Sequence, residues 1–259
     1  MRGTFYGETI AQCVTLQAVL GCGKTQARHA KGQGPMAQDT GNAKQATLTI
    51  SSKTYSAWSL RGWLMCKLAR LDVIEKPAPN DASNRAELLL LSPSVLVPRL
   101  TYDGASVWDT LAIAEFLNEE CPDAGLYPAD RIARAHCRSI SGEIHSGFTN
   151  MRSALPMNLK VKHDKFPVFS GARPDIERVE TIWTECLETY GGPFLFGAEP
   201  TVADAMYAPV ATRFITYAVA ISEPCAAYCK TVTEWSPMAE WIAAAKAEPE
   251  EMQELEVEF

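Results

Sequence analysis

Four hydroxyl side chains stand together at the start of a predicted helix and are the first candidates for chemistry in this sequence. They belong to Thr54, Tyr55, Ser56 and Ser59. Serine and threonine before an apolar helical run usually cap the helix by accepting hydrogen bonds from its first free N–H groups. A hydroxyl in the same turn can instead donate a hydrogen bond to an anion, which the positive end of the helix also attracts. The residues alone leave both interpretations open.

Further polar candidates stand on other predicted helices. Asp109 and Thr110 precede an apolar helical run, where they can cap the helix, bind the charged end of a ligand, or do both. His145 and Arg152 lie on a long helical pattern further along. A histidine can shuttle protons and an arginine can attract an anion, although a hydrogen-bonded core histidine and a surface arginine are commoner uses.

The elements around the first candidates predict a small mixed sheet flanked by helices. In chain order these elements are a strand at Thr47–Ile50, a helix capped by Ser56 or a neighbour, an extended segment at Val73–Ala78, a helix at Arg85–Leu91, two strands at Arg99–Tyr102 and Ala105–Trp108, and a helix from Asp109 to about Glu120. Asp103-Gly104 between the last two strands is a strong signal for a two-residue hairpin turn. The first helix carries one apolar face, formed by Leu60, Trp63, Leu64, Leu68 and Leu71.

Beyond a Pro- and Gly-containing linker at 121–130, the sequence shows only helical patterns, which predict an all-helical bundle. The predicted helices are Arg131–Leu155, Pro174–Tyr190, Val202–Tyr217, Pro224–Glu234 and Pro237–Ala247. Thr201 and Asp204 have the spacing of a capping box, which we assign to folding. The predicted organisation is an extension at 1–44, a sheet domain at 45–120, the linker, a helical domain at 131–247 and a solvated acidic tail at 248–259.

Composition limits the classes of partner. A formal net charge of −7 and a pI near 5.2 argue against a general nucleic-acid or anionic-membrane surface. We find no apolar run of about eighteen residues and no secretory leader pattern, so we expect a cytoplasmic protein. The eight cysteines lack CxxC spacing, as is usual for reduced thiols, and we expect no metal site.

Three separated segments together resemble the cytosolic glutathione transferase family. The segment 54–61 (TYSAWSLR) is similar to the activating segment, most closely in the zeta-like and related bacterial subgroups. The segment 92–98 (SPSVLVP), followed by 108–113 (WDTLAI), resembles the cis-proline loop and the glutathione clamp. The segment 194–197 (FLFG) with 201–204 (TVAD) resembles the buried capping box of the helical domain. The resemblance implies a thioredoxin-like domain followed by a helical bundle.

The resemblance also implies glutathione as co-substrate, held so that its thiolate attacks a small electrophile. A hydroxyl that donates to the sulfur lowers the pKa of the thiol, and the helix N-terminus adds to this effect. Thr54 or Ser56 is then the catalytic donor, with Tyr55 and Ser59 beside it at the glutathione site.

Other parts of glutathione are assigned by the same resemblance. Val97 and Pro98 form a cis peptide that pairs with the cysteinyl backbone, although only about one X–Pro bond in twenty is cis. Asp109 binds the γ-glutamyl amine and Thr110 its carboxylate. His145 and Arg152 face the second substrate.

One departure from the family pattern leaves alternatives open. Leu96 stands where the family usually has a cation that binds the glycyl carboxylate of glutathione. A non-catalytic ligand- or partner-binding protein on the same scaffold is therefore an alternative function. A glutathione-dependent isomerase of the maleylacetoacetate type is another. A thiol-disulfide reductase is disfavoured because Cys66, the nearest cysteine, lies well inside the helix. The resemblance implies a homodimer.

Overall fold

The strands of the N-terminal part form one mixed sheet. The computed structural model describes residues 45–78 and 96–249. Its strands are β1 (Ala46–Ile50), β2 (Val73–Pro77), β3 (Arg99–Tyr102) and β4 (Ala105–Trp108), in the spatial order β2-β1-β3-β4. β1 pairs with β2 in parallel and with β3 antiparallel, and β3 pairs antiparallel with β4.

The hairpin between β3 and β4 confirms the turn prediction. Asp103 and Gly104 have φ of 48° and 81°, and two consecutive positive values are what a two-residue type I′ turn needs. Arg99 pairs with Trp108, so the two strands start and end in register.

The helices of the described residues are α1 (Ala57–Leu68), α2 (Thr110–Glu120), α3 (Arg131–Ser146), α4 (Thr149–Ala154), α5 (Arg173–Tyr190), α6 (Val202–Thr216), α7 (Glu223–Glu234) and α8 (Ser236–Ala247). Short 3₁₀ turns occupy Pro122–Ala124 and Ser170–Ala172. The helix predicted at Arg85–Leu91 and the extension at 1–44 lie outside the described residues.

Helix α1 differs from its prediction, because it is buried on nearly all sides. It packs against the sheet and α2 and also against α6 and α8, so polar positions such as Ser59 and Arg61 are covered as fully as Leu60. Leu71, predicted on the apolar face, lies beyond the end of the helix. The single-face prediction is therefore wrong, since the helix lies between the sheet and the bundle.

The helix predicted at Arg131–Leu155 is broken in two. α3 ends at Ser146, Gly147 is extended, and Phe148 has a positive φ of 63° with a buried ring. A side chain at 147 is blocked, because its Cβ would lie 2.8 Å from the carbonyl oxygen of Glu143. The glycine and the buried phenylalanine thus end one helix and start the next.

Helix α6 is the centre of the helical part and begins with the predicted capping box of Thr201 and Asp204. The fully buried carboxylate of Asp204 accepts from the N–H of Thr201 and of Leu195 and from the hydroxyl of Tyr228. Burial raises the pKa of Asp204, and these donors oppose that rise. No helix of the described residues is long and apolar enough to cross a membrane.

Candidate active site

The strand register brings three of the predicted segments to one edge of the sheet. β1 ends at Ile50, and β3 begins beside that end because Thr49 pairs with Arg99. Arg99 in turn pairs with Trp108, the last residue of β4. The turn after β1, the peptide before β3 and the start of α2 therefore all lie at the same edge.

Ser56 is the N-cap of α1 and lies in front of Ser59. Its Oγ accepts from the N–H of Ser59 at 3.3 Å, and the two hydroxyl oxygens are 2.9 Å apart. Ser59 is fully buried and also accepts from the N–H of Ser51 at 2.9 Å, whereas Ser56 is half-buried. Ser59, predicted at the glutathione site, therefore has no exposed surface with which to touch a ligand.

Thr54 has different surroundings from Ser56. Its side chain is 1% exposed, and its Oγ1 lies 3.1 Å from the carbonyl oxygen of Ala245 and 3.0 Å from Glu248 Oε2. A hydroxyl has one proton, and both neighbours are acceptors. In this arrangement Thr54 donates towards the C-terminal end of α8. Tyr55, the next residue, is half-buried and donates its backbone N–H to Ser52 Oγ.

The Val97-Pro98 peptide is cis, which confirms the expected conformation of this bond. Pro98 is buried against α1 at Gly62, where a Cβ would lie 2.5 Å from both Cβ and Cγ of the proline. The absence of a side chain at 62 thus allows α1 to approach the cis peptide. Leu96, just before it, is 61% exposed.

Asp109 and Thr110 form the start of α2. Asp109 has φ of 75°, and its Oδ1 accepts from the N–H groups of Leu111 and Ala112, so the predicted cap is present. Its Oδ2 lies 2.6 Å from His145 Nε2. Thr110 is 1% exposed, and within the described residues its Oγ1 has no hydrogen-bond partner. A buried hydroxyl without a partner is costly unless a ligand or water supplies one.

Trp58 joins the start of α1 to the helical part. The guanidinium groups of Arg61 and Arg152 lie 4.6 and 4.8 Å from its ring centroid, and the His145 ring meets it edge-on at 5.2 Å. Arg61 also donates from Nε to the carbonyl of Met206 in α6. Arg152 donates to the carbonyl of Ile144 and is half-buried, so it is not the plain surface arginine of the alternative interpretation.

Glu248 is a further residue at this site that was not among the predicted candidates. It was predicted as the first residue of a solvated tail, but its half-buried carboxylate accepts hydrogen bonds from three consecutive residues, Ser52, Lys53 and Thr54. These partners lie 194 to 196 positions earlier in the chain. No local pattern around Glu248 signals such a contact. The remainder of the predicted tail, from Glu250 onward, lies outside the described residues.

Cys66 is not placed for thiol chemistry. It is fully buried inside α1, and burial raises the pKa of its thiol to about 12. A thiol that stays protonated is a poor nucleophile. The described residues contain no group of three or more potential metal ligands.

Comparison with known proteins shows the family to which this chain belongs. The family model for the glutathione S-transferase N-terminal domain matches residues 55–120, and the model for the C-terminal domain matches residues 164–244. Together they cover more than half of the chain in the expected order. The chain belongs to the glutathione S-transferase family, and the predicted fold is confirmed.

The similar curated proteins are maleylacetoacetate isomerases. The chain is 32% identical over 135 residues to a probable maleylacetoacetate isomerase of Caenorhabditis elegans, covering 50% of this chain and 62% of the relative. It is 30% identical over 123 residues to maleylacetoacetate isomerase of Rattus norvegicus, covering 48% and 56%. The match thus spans less than two thirds of these relatives.

Solved structures show the same fold at low identity. A glutathione transferase homologue from Burkholderia with bound glutathione has a TM-score of 0.61 at 20% identity, covering 78% of this chain and 99% of that chain. Maleylacetoacetate isomerase from Anaeromyxobacter dehalogenans with bound glutathione has a TM-score of 0.53 at 20% identity, covering 76% and 95%.

Proposed function

We propose that this protein binds glutathione at the sheet edge described above and activates its thiol for attack on a small electrophile. The observation that carries the proposal is the meeting of three features at that edge. They are the N-terminus of α1 capped by Ser56, the cis Val97-Pro98 peptide, and the start of α2, where the Thr110 hydroxyl has no partner among the described residues. Two solved relatives of the same fold hold bound glutathione.

The surroundings of the two candidate hydroxyls favour Ser56 as the donor to sulfur. Thr54 is buried and has two acceptors of its own. In the structure Ser56 Oγ donates to Ser59 Oγ at 2.9 Å, and Ser59 also accepts from the N–H of Ser51. We propose that this Ser56 proton turns from Ser59 to the thiolate when glutathione binds. The N-terminus of α1 adds its partial positive charge.

The remaining anchors suit the ends of the tripeptide. The Val97 backbone offers an edge partner for the cysteinyl unit. Thr110 is the proposed contact of the γ-glutamyl carboxylate, which its 1% exposed side chain would reach only after a local rearrangement. The N–H groups of Leu111 and Ala112 already donate to Asp109 Oδ1. Asp109 suits the amine, which would share Oδ2 with His145. The exposed Leu96 offers no charge to the glycyl carboxylate, so we expect glutathione affinity to be modest.

A glutathione-dependent isomerisation is the second candidate function. It is supported by the maleylacetoacetate isomerases among the curated relatives. His145 and Arg152 both contact Trp58, two residues from Ser56, and the guanidinium of Arg152 there would attract an anionic substrate. The same chemistry of Ser56 serves both functions, because each begins with thiolate attack.

We test the proposal by isothermal titration with glutathione, followed by assays with an aromatic halide, a hydroperoxide and a maleyl substrate side by side. We expect binding at or below millimolar concentration and turnover of at least one substrate. Turnover of the maleyl substrate alone would select the isomerase. Binding without any turnover would leave a ligand-binding role, and no binding at millimolar concentration would refute the proposal.

Two expectations on assembly and location belong to the same proposal. We infer a homodimer from the family resemblance, and sedimentation showing a monomer mass at micromolar concentration would refute it. We infer a cytoplasmic location from the cysteines, since all six in the described residues are free thiols.

A further inference from the structure

The carboxylate of Glu248 is bound by the loop that leads into α1. Oε1 accepts from the N–H of Lys53 at 2.7 Å. Oε2 accepts from Ser52 Oγ at 2.9 Å and from both the N–H and the hydroxyl of Thr54 at 3.0 Å. Hydrogen bonds to an ionised acceptor are roughly twice as strong as neutral ones. One side chain from the end of α8 therefore holds three consecutive loop residues.

The carbonyl groups of the same loop are held by other distant residues. Lys53 accepts from Trp241 Nε1 at 2.9 Å, and Thr54 accepts from the N–H of Leu159 at 3.4 Å. Lys160 donates to the backbone carbonyl of Glu248 itself. The backbone N–H and C=O groups of residues 53 and 54 thus all have partners in the helical part. The Glu248 carboxylate accepts from both N–H groups, and other residues donate to the two carbonyl groups.

From these contacts we infer that Glu248 is a positioning residue for thiol activation, an inference that rests on the proposed function. The loop that it holds continues directly into the N-cap, because Ser56 donates its N–H to the carbonyl of Ser52 at 3.0 Å. Glu248 also engages the Thr54 hydroxyl and so leaves Ser56 as the sulfur donor. Its carboxylate acts through the loop and does not touch the substrate.

The direction in which the pKa of the bound glutathione thiol changes, when Glu248 is replaced, separates a positioning role from a purely electrostatic one. Removal of a negative charge near a thiolate would by itself favour the thiolate and lower the pKa of the bound thiol. Removal of the loop's main acceptor instead lets Ser56 move away from the sulfur, and a misplacement of about 1 Å can cost a hundredfold in rate. Positioning therefore predicts that the pKa of the bound thiol rises.

The experiment compares Glu248→Ala and Glu248→Gln with Glu240→Ala as a matched control. Glu240 lies on the same helix, is exposed, and pairs only with Lys67 among the described residues. The readout is the ultraviolet absorbance of the thiolate of bound glutathione as a function of pH, with kcat for one electrophile. The Glu248→Gln side chain keeps one acceptor oxygen. Its amide N–H₂ replaces the other oxygen, so it faces the N–H of Lys53 or Thr54 and cannot accept from it.

We expect Glu248→Ala to raise the pKa of the bound thiol by about one unit, with about a tenfold lower thiolate fraction below the pKa. We expect a smaller rise in Glu248→Gln, none in Glu240→Ala, and partial recovery of Glu248→Ala by added acetate. An unchanged or lowered pKa in the folded alanine variant, or in Glu248→Gln if the alanine variant does not fold, overturns the inference. If the wild-type protein itself leaves the thiol of glutathione unperturbed, the proposed function fails and the inference with it.

Discussion

Ser56 and Thr54 carry the same functional group two positions apart in one turn. The fold buries Thr54 against Ala245 and Glu248 and leaves Ser56 half-buried at the helix start, with Ser59 behind it. In the structure Ser56 donates to Ser59, and we propose that this proton turns to the glutathione sulfur when the ligand binds. We therefore propose different roles for the two hydroxyls, from the groups that lie beside each of them.

Substitution of Ser56 separates its capping role from its chemistry. Glycine is nearly as good an N-cap as serine and costs only a few tenths of a kcal/mol, whereas alanine costs about 1 kcal/mol. We expect Ser56→Gly to unfold close to the wild-type denaturant midpoint and to lose about a hundredfold in kcat, the effect of removing one anion-stabilising donor. Denaturant unfolding and steady-state kinetics check both parts.

Ser56→Thr is the matched control, because it retains the hydroxyl. We expect it to keep most of the activity. Equal activity of the glycine variant and the wild-type protein would show that Ser56 only caps the helix, and the proposal for this residue would then be wrong.

At the scale of elements, the close contact between α1 and the cis peptide depends on Gly62. A Cβ at this position would lie 2.5 Å from two atoms of Pro98, which is buried and cannot withdraw to solvent. The contact ties the helix that carries Ser56 to the peptide assigned to the cysteinyl backbone.

We expect Gly62→Ala to destabilise the protein by about 1–3 kcal/mol, the usual cost of overpacking, and to weaken glutathione binding as well. Gly142→Ala is the control, since Gly142 is also helical but its Cβ would meet no atom within 4 Å. We expect the control to gain about 0.5–1 kcal/mol from helix propensity. Chemical denaturation measures both, and a Gly62→Ala variant as stable as the control would contradict the contact.

The elements that could be predicted from sequence are those whose cause is local. The Asp103-Gly104 turn, the Asp109 cap and the Thr201–Asp204 box each depend on residues within four positions of one another. The break at Gly147 was missed because its cause is a buried ring at Phe148, which periodicity does not reveal. Propensity and pattern report local preference, and packing decides the rest.

At the scale of the whole molecule, the site is assembled from the sheet and the helical part together. Contacts join the described residues, 45–78 and 96–249, into one unit. Glu248 holds the loop before α1 from one side, and Arg61 and Trp58 contact α6, α3 and α4 on the other. These partners lie far apart in sequence, so single-sequence patterns gave the candidate residues but not the contacts that assign their roles.

Substitution of Arg61 tests the contact between the sheet part and the helical part. It is 1% exposed, donates to the Met206 carbonyl and stacks on Trp58. We expect Arg61→Ala to lower the free energy of unfolding by about 3 kcal/mol or more, because it opens a cavity and leaves a buried carbonyl without its donor. Lys67→Ala on the same helix removes a partly exposed ion pair with Glu240 and a cation–π contact with Trp63, and should cost about 1 kcal/mol. Denaturant unfolding measures both variants. Similar decreases in the free energy of unfolding would contradict the prediction that Arg61 stabilises the contact between the sheet and the helical part.

The central claim is that this site holds glutathione as a thiolate, and the most direct measurement is a pH titration of thiolate absorbance with glutathione bound to the wild-type protein. The free thiol of a cysteine has a pKa of about 8.5. Donation by Ser56 and the N-terminus of α1 predict a pKa for the bound thiol at least one unit lower. A bound thiol that titrates at the same pH as free glutathione would contradict the account.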